Sequence, residues 1–442
     1  LSDLFGYRGA SLLLLQKAGA SIGDVIDLKT IDSSIKGSLI PRYEHSDDKH
    51  IVVKLDNGYN IGVKLESIQE IKIVSKCGSP TFKQPPLPKV DESLPVVAIV
   101  GTGGTIASRI DYRTGGVHPQ FSAQDLYAVV PEIAKYAQIR TVPLFNVYSE
   151  HVNSSHWTKI SEKIIEILPS GVDGVVVAHG TDTMAYTSAA LSFALSGVGV
   201  PIVMVGSQRS TDRPSSDAAL NLVGAVAAAA QLLYSGVFVA MHSSINDDEV
   251  AIHSGCRVRK NHTSRRDAFE SIDVAPSAYV KEGKVKVMNK HLPVKDKQRR
   301  FESKCGFERN VALIKFHPNL KSSLIDYLVN SGYRGIIFEG TGLGHISDDC
   351  YSSIAKAVER GIVVGVSSQC IWGRVSLTVY DSGRDLLKCG VLPLGNMLSE
   401  TALVKLMWVL GNTSSTDDAK RLMLENISGE YTLRSPLDRR PA

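Results

Sequence analysis

The chain has 442 residues, of which 43% are hydrophobic and 21% charged, and a formal net charge of +4. That length implies two or three domains, and the apolar share is that of an ordinary globular protein with a large core. So small an excess charge at this length does not argue by itself for nucleic-acid binding.

In chain order, residues 20–75 read as short strands. Asp24-Val25-Ile26-Asp27-Leu28, Lys36-Gly37-Ser38-Leu39-Ile40-Pro41, Ile51-Val52-Val53-Lys54-Leu55 and Ile61-Gly62-Val63-Lys64 alternate apolar and polar side chains, the period of a half-buried strand. Asp56-Asn57-Gly58 between the last two is a hairpin turn signal. Strands this short and closely spaced predict a small SH3-like β-barrel. The proline-rich stretch from Cys77 to Pro88 predicts an extended, semi-rigid spacer. An N-terminal helix, the barrel and this spacer are therefore assigned to residues 1–85.

From residue 95 onward apolar strands alternate with helical runs. Expected strands are 96–101, 139–145, 173–179, 201–206 and 237–243, with helices over 122–136, 155–167, 183–196 and 215–233. Alternation of this kind predicts an α/β fold, a mostly parallel sheet with helices on both faces. The charged stretch 280–309 reads as a linker or exposed hairpin. A third set follows, with strands at 311–316, 335–339 and 362–366 and helices at 320–330, 348–360, 397–410 and 415–426. The α/β part thus divides into a larger domain, 86–304, and a smaller one, 305–442. Gly340-Thr341-Gly342-Leu343-Gly344-His345 reads as a tight turn at a strand end.

Six cysteines, at 77, 256, 305, 350, 370 and 389, are scattered without Cys-x-x-Cys spacing. Neither a structural zinc site nor a disulfide framework is expected. No basic region precedes an apolar stretch near the start, and Ser11-Leu12-Leu13-Leu14-Leu15 is too short to span a bilayer. A cytoplasmic protein with no membrane association is expected.

Two segments carry the chemistry. Gly101-Thr102-Gly103-Gly104-Thr105 follows the apolar run Val96–Val100, and His179-Gly180-Thr181-Asp182-Thr183-Met184 follows Val175–Ala178. The first fails the dinucleotide fingerprint, because Ile106 stands where a third glycine belongs, and no Gly-Lys-Ser/Thr follows to make a P-loop. Alone, it reads as a plain turn, and the second as an N-cap cluster. Together they place two hydroxyls, Thr105 and Thr181, at strand ends, where open parallel sheets bind ligands.

This pair resembles the signatures of the L-asparaginase/glutaminase family, type I-like. The segment Arg257-Val258-Arg259-Lys260-Asn261-His262-Thr263, ending in Asp267-Ala268-Phe269, matches the family's lysine motif. Read alone, Lys260 would be a surface lysine in a basic cluster; the match makes it a site residue. Val147-Tyr148-Ser149-Glu150 resembles the family's substrate-binding strand end. The resemblance covers about residues 95–435. It implies an asparaginase-like two-domain core, Thr105 as nucleophile, and Thr181, Asp182 and Lys260 as a hydroxyl-acid-amine relay. It also implies that Ser149 and Glu150 hold the α-groups of the substrate. Tyr112, in the loop 108–117, is the candidate lid residue, although its spacing departs from the family pattern. Gly115-Gly116 suits a hinge there. His179 reads as a packed strand-end residue.

An unactivated amide needs a base for the attacking hydroxyl, donors for the oxyanion and an acid for departing ammonia. The hydrolysed amide is that of asparagine or glutamine, since both carry the same reacting group. The extra N-terminal part makes the chain resemble the ammonia-supplying subunits of archaeal-type glutamyl-tRNA(Gln) amidotransferases. That resemblance implies a homodimer through the core and a kinase/transamidase partner subunit. It also implies contact with Glu-tRNA(Gln) mainly through that partner. No metal or cofactor is expected in this chain, and ATP and Mg are expected to serve the partner. Two other readings stand beside it: a stand-alone cytosolic L-asparaginase, and a non-catalytic tRNA-binding scaffold.

Overall fold

The computed structural model describes residues 4, 6–42, 47–55, 60–76, 91–103, 108–110, 117–119, 126–127, 130–209 and 215–434. The Asp56-Asn57-Gly58 turn and the proline-rich spacer lie outside these residues.

The N-terminal part is a helix, Gly9–Lys17, and five antiparallel strands: β1 (Val25–Thr30), β2 (Ser34–Leu39), β3 (His50–Lys54), β4 (Asn60–Lys64) and β5 (Ile68–Ser75). They form one sheet in the order β4-β3-β2-β1-β5. Alternation turns Ile26, Leu28, Leu39, Ile51 and Val53 inward, onto Leu15 of the helix. β5 is not among the expected strands. Its pairing with β1 slips between Lys29↔Glu70 and Thr30↔Ile68. A bulge of this kind inserts an extra residue and breaks the period-2 pattern that marks a strand.

The large sheet has eight strands: β6 (Val96–Gly101), β9 (Gln138–Pro143), β10 (Gly174–Ala178), β11 (Pro201–Val205), β12 (Gly236–His242), β13 (Glu249–Ser254), β16 (Ala278–Lys281) and β17 (Lys284–Val287). Two small antiparallel pairs stand apart: β7 (Ser108–Ile110) with β8 (Val117–Pro119), and β14 (Val258–Lys260) with β15 (Phe269–Ser271). Strands β12-β11-β10-β6-β9 are parallel, whereas β13, β16 and β17 extend the sheet antiparallel. The stretch beginning at 280 is therefore partly sheet, with Val285 and Val287 packed against the core.

β10 and β11 are buried along their whole length, which is why they read as unbroken apolar runs. One face, through Val97, Ile99, Val176 and Val203, meets helix Ala218–Gln231. The other, through Val100, Val175, Val177 and Met204, meets helices Ser154–Ile167 and Met184–Ala194. The alanine-rich helix approaches closely: a Cβ on Gly174 would lie 2.3 Å from the Ala229 carbonyl oxygen. Of the helix expected over 122–136, residues 131–135 form a 3-10 turn instead. Pro131 opens that turn and lacks the N–H an α-helix interior needs.

The small sheet is all parallel, in the order β18 (Val311–Lys315), β19 (Gly335–Gly340), β20 (Val363–Ser368), β21 (Leu392–Pro393). Helices Ser323–Asn330 and Tyr351–Glu359 cover one face, and Ser399–Asn412 and Thr416–Leu424 the other. The two sheets share a core between them. Phe193 of the large part stacks on Trp408 of the small part with ring centroids 5.7 Å apart.

Candidate active site

Parallel pairing of β6 with β10 sets Gly101 opposite Ala178. The segments that follow both strands therefore emerge side by side. Thr102 fixes this junction: its N–H and its hydroxyl both donate to the Ala178 carbonyl, at 3.2 and 2.8 Å. The loop after β9 crosses above, with Val147 N–H donating to the Thr102 carbonyl at 3.3 Å. Gly103 has φ +116°, and a Cβ there would lie 2.3 Å from the Val147 oxygen. Only glycine allows that crossing. Thr105 and Tyr112 lie outside the described residues.

The same loop also meets the second segment. Thr183 donates its hydroxyl to the Ser149 carbonyl at 2.7 Å, so it does not cap the helix it precedes. A Cβ on Gly180 would stand 2.8 Å from Ser149 Cβ. Ser149 is buried in a 3-10 turn, and Glu150, next in chain, is exposed. Among the described residues Glu150 makes no hydrogen bond or ion pair.

Lys260 ends β14 opposite Phe269. Its ammonium reaches across to the second segment, donating to Thr181 Oγ1 at 2.9 Å and to Asp182 Oδ1 at 2.7 Å. The lysine side chain is 13% exposed and the aspartate 66%. A pair open to water on one side adds at most about 1 kcal/mol to stability. Its consequence is geometric: the carboxylate fixes the amine on the hydroxyl. A hydrogen bond donated to a hydroxyl oxygen favours its deprotonated form, and a lysine within reach can move a proton. Thr181, Asp182 and Lys260, chosen from sequence, are thus brought into one contact set.

His179 lies directly behind. It is buried, with Nδ1 2.6 Å from the Gly180 carbonyl and Nε2 3.0 Å from Thr187 Oγ1. A carbonyl only accepts, so Nδ1 carries the proton and Nε2 receives the Thr187 hydroxyl. Trp157 Nε1 donates to that hydroxyl at 3.1 Å. Burial pushes the imidazole down from 6.5 to about 4, with the Gly180 carbonyl opposing. Burial pushes His253 down to about 4 as well. The consequence for acid stability has a definite sign. Above pH 6.5 both histidines are neutral in the folded and unfolded chain, and nothing is lost. Between about 6.5 and 4 only the unfolded chain takes up protons, so stability falls with pH by up to about 3 kcal/mol per histidine. His253→Gln should flatten part of that slope in urea unfolding measured from pH 7 to 4.5. An unchanged slope would remove His253 from the explanation.

The basic cluster around Lys260 does not share one role. Arg257 is fully buried and donates to the carbonyls of Ile272, Asn396 and Glu430 at 2.8–2.9 Å. Burial pushes it down to about 10, with Asp273 opposing. It ties the two lobes together. Arg259 pairs with Glu400 at 2.8 Å. Arg265 grips Asp267 with two hydrogen bonds, and Arg266 pairs with Asp247. Among the described residues no group of three His, Cys, Asp or Glu side chains is placed to hold a metal ion. No helix among them is long and apolar enough to cross a membrane.

Three family models match the chain: the GatD N-terminal domain over residues 20–74, the N-terminal asparaginase domain over 96–293, and the glutaminase/asparaginase C-terminal domain over 310–423. The GatD-type glutamyl-tRNA(Gln) amidotransferase subunit of Metallosphaera sedula is 47% identical over 99% of both chains. That of Pyrococcus furiosus is 46% identical over 95% of this chain and 96% of its own length. The chain belongs to the GatD family of glutamyl-tRNA(Gln) amidotransferase subunits. Its fold is asparaginase-like, as in solved relatives. The L-asparaginase of Thermococcus kodakarensis matches it with TM-score 0.68 and 32% identity, over 76% of this chain and 99% of that one. A probable cytoplasmic L-asparaginase from Campylobacter jejuni matches with TM-score 0.63 and 29% identity, over 75% of this chain and all of its own. The GatD family is one of amidotransferase enzymes with an asparaginase-type domain. Reading the sequence placed Arg266 only in the basic cluster around Lys260 and passed over His242 and Asp247, of which Asp247 pairs with Arg266 and lies 3.3 Å from His242. Their sequence signal, isolated polar residues at strand ends and in loops, is shared with any solvated turn.

Proposed function

We propose that this chain releases ammonia from the side-chain amide of asparagine or glutamine and supplies it to a partner subunit. That kinase/transamidase would use ATP and Mg to convert Glu-tRNA(Gln) to Gln-tRNA(Gln). The observation that carries the reading is the contact of Lys260 Nζ with Thr181 Oγ1 and Asp182 Oδ1, at 2.9 and 2.7 Å. The match to GatD relatives over nearly the whole chain, N-terminal part included, supports the amidotransferase setting over a free asparaginase or a scaffold.

In this reading the Thr105 hydroxyl attacks the amide carbon and forms an ester as the C–N bond breaks. The Thr181–Asp182–Lys260 relay takes the hydroxyl proton and returns one to the departing nitrogen, which leaves as ammonia. Water then attacks the ester, freeing aspartate or glutamate and restoring Thr105. Ser149 and Glu150 would hold the substrate's α-carboxylate and α-ammonium, with Tyr112 as lid. Neither a metal nor a cofactor takes part in this chain's step. We assign the parts 1–85, 86–304 and 305–442 to the barrel with its spacer, the large domain and the small domain. The core would pair as a homodimer, contact tRNA mainly through the partner, and work in the cytoplasm.

The test is ammonia release from asparagine and from glutamine by the purified chain, with and without the partner and Glu-charged tRNA. Release that rises when both are added is expected. Release from neither amide under any of these conditions would sink the reading. Equal release with and without partner and tRNA would leave a stand-alone amidohydrolase.

A further inference from the structure

The Lys260 hairpin is tied to the large sheet by a line of side chains that the proposed relay does not use. Asp217, preceding helix Ala218–Gln231, accepts from the N–H groups of Gln208 and Arg209, each at 2.9 Å. Asn221, one turn on, donates Nδ2 to Asp217 at 2.9 Å and to the Gly206 carbonyl at 3.0 Å. Its Oδ1 is therefore left to accept from His242 Nδ1, at 2.6 Å. His242 ends β12 and turns Nε2 toward Asp247 Oδ1 at 3.3 Å; with Nδ1 already donating to Asn221, this contact is a hydrogen-bonded ion pair in the imidazolium form, with a hydrogen on both ring nitrogens. Asp217, Asn221 and His242 are fully buried. Asp247 pairs in turn with the Arg266 guanidinium, which also donates to the Ile245 carbonyl.

Both ends of this line reach the candidate site. Arg266 sits in the loop between β14, which ends in Lys260, and β15. At the other end, a Cβ on Gly206 would lie 2.9 Å from Thr181 Cγ2 and 2.7 Å from the His179 oxygen. The line thus runs from the backing of Thr181 to the hairpin of Lys260 and closes a ring around their contact. The Arg265–Asp267 pair cannot do this, because both partners lie in the same loop.

We infer that Asp247 and Arg266 are positioning residues that hold the Lys260 amine on the Thr181 hydroxyl. The inference rests on the amidohydrolase reading of the site. β14 and β15 have three residues each, too few to fix a long lysine stem by themselves. A satisfied buried polar network is rigid, and Asp247 transmits that rigidity to the hairpin. The Asp247 and Arg266 side chains are 65% and 14% exposed. Such a pair contributes little to stability, so its loss shows in rate and not in folding.

The experiment measures steady-state ammonia release by the full chain with its partner present. The variants are Lys260→Met, Asp247→Ala, Arg266→Ala, the Asp247→Ala/Arg266→Ala double and Asp247→Glu. Each alanine variant is expected to lower kcat about tenfold or more, since small misplacements of a reacting group are expensive. KM should stay within about twofold, as the substrate's α-groups bind elsewhere. The double variant should be no slower than the slower single, because the two act as one unit. Asp247→Glu should recover most of the rate, and melting temperatures should match the wild type. Wild-type kcat in both alanine variants, with Lys260→Met slowed, would overturn the inference and leave the relay standing. Rate losses that track a fall in melting temperature would overturn it too, in favour of a structural role. If the wild type releases no ammonia, or Lys260→Met is as fast as wild type, the amidohydrolase reading itself fails.

Discussion

Lys260→Met is expected to lower kcat for ammonia release by about a hundredfold or more, the scale of losing a group that moves a proton in the transition state. Methionine keeps the length of the stem and removes the amine that meets Thr181 Oγ1 and Asp182 Oδ1. The fold should persist, because Asp182 is 66% exposed and finds water instead. Lys260→Arg separates two roles. Arginine keeps the positive charge but does not lose its proton in proteins. If the lysine transfers a proton, Lys260→Arg should be as slow as Lys260→Met. Recovery by arginine would show that the site needs only a cation, and proton transfer would then be dropped from the scheme.

The second large effect is on stability. Lys405 and Glu430 form an ion pair at 2.5 Å with both side chains fully buried. Burial pushes the Lys405 amine down, and Glu430 opposes that shift. Lys405 also donates to the carbonyls of Met423 and Glu425, while Glu430 accepts from the N–H groups of Ile427 and Ser428. Removing one charge strands the other in the core, which costs about 3–5 kcal/mol. Glu430→Gln keeps an acceptor for Ile427 and Ser428 but leaves the ammonium unpaired, so a loss of that size is expected in urea unfolding. Lys405→Met added to it should recover at least half, since neither charge of the pair then remains in the core. A Glu430→Gln chain within about 1 kcal/mol of wild type would show that the pair is not stabilised as described.

The sequence by itself determined the parallel strands at the centre of both sheets. Their faces are covered on both sides, so they must be apolar throughout, and Val175–Ala178 reads the same in isolation as in the fold. It also placed Thr181 and Asp182 at a strand end, because glycine and short polar residues directly after such a run have few other uses. The lysine motif was legible only through family resemblance. Lys260 lies 79 residues from Thr181 in the chain, and no periodicity links two positions so far apart.

Tertiary structure alone decided which charges go inside. Arg257, Lys405 and Glu430 are fully buried, yet charged residues are read as exposed by default because burial needs a partner. Those partners come from remote segments: Asn396 and Glu430 for Arg257, and the chain end after helix Thr416–Leu424 for Lys405. The same holds for β16 and β17. Their lysines advertise a solvated hairpin, but Val280, Val285 and Val287 find the core face of a sheet built from distant strands. A side chain's own chemistry sets what it needs. Whether that need is met by water or by protein depends on which elements the fold brings beside it.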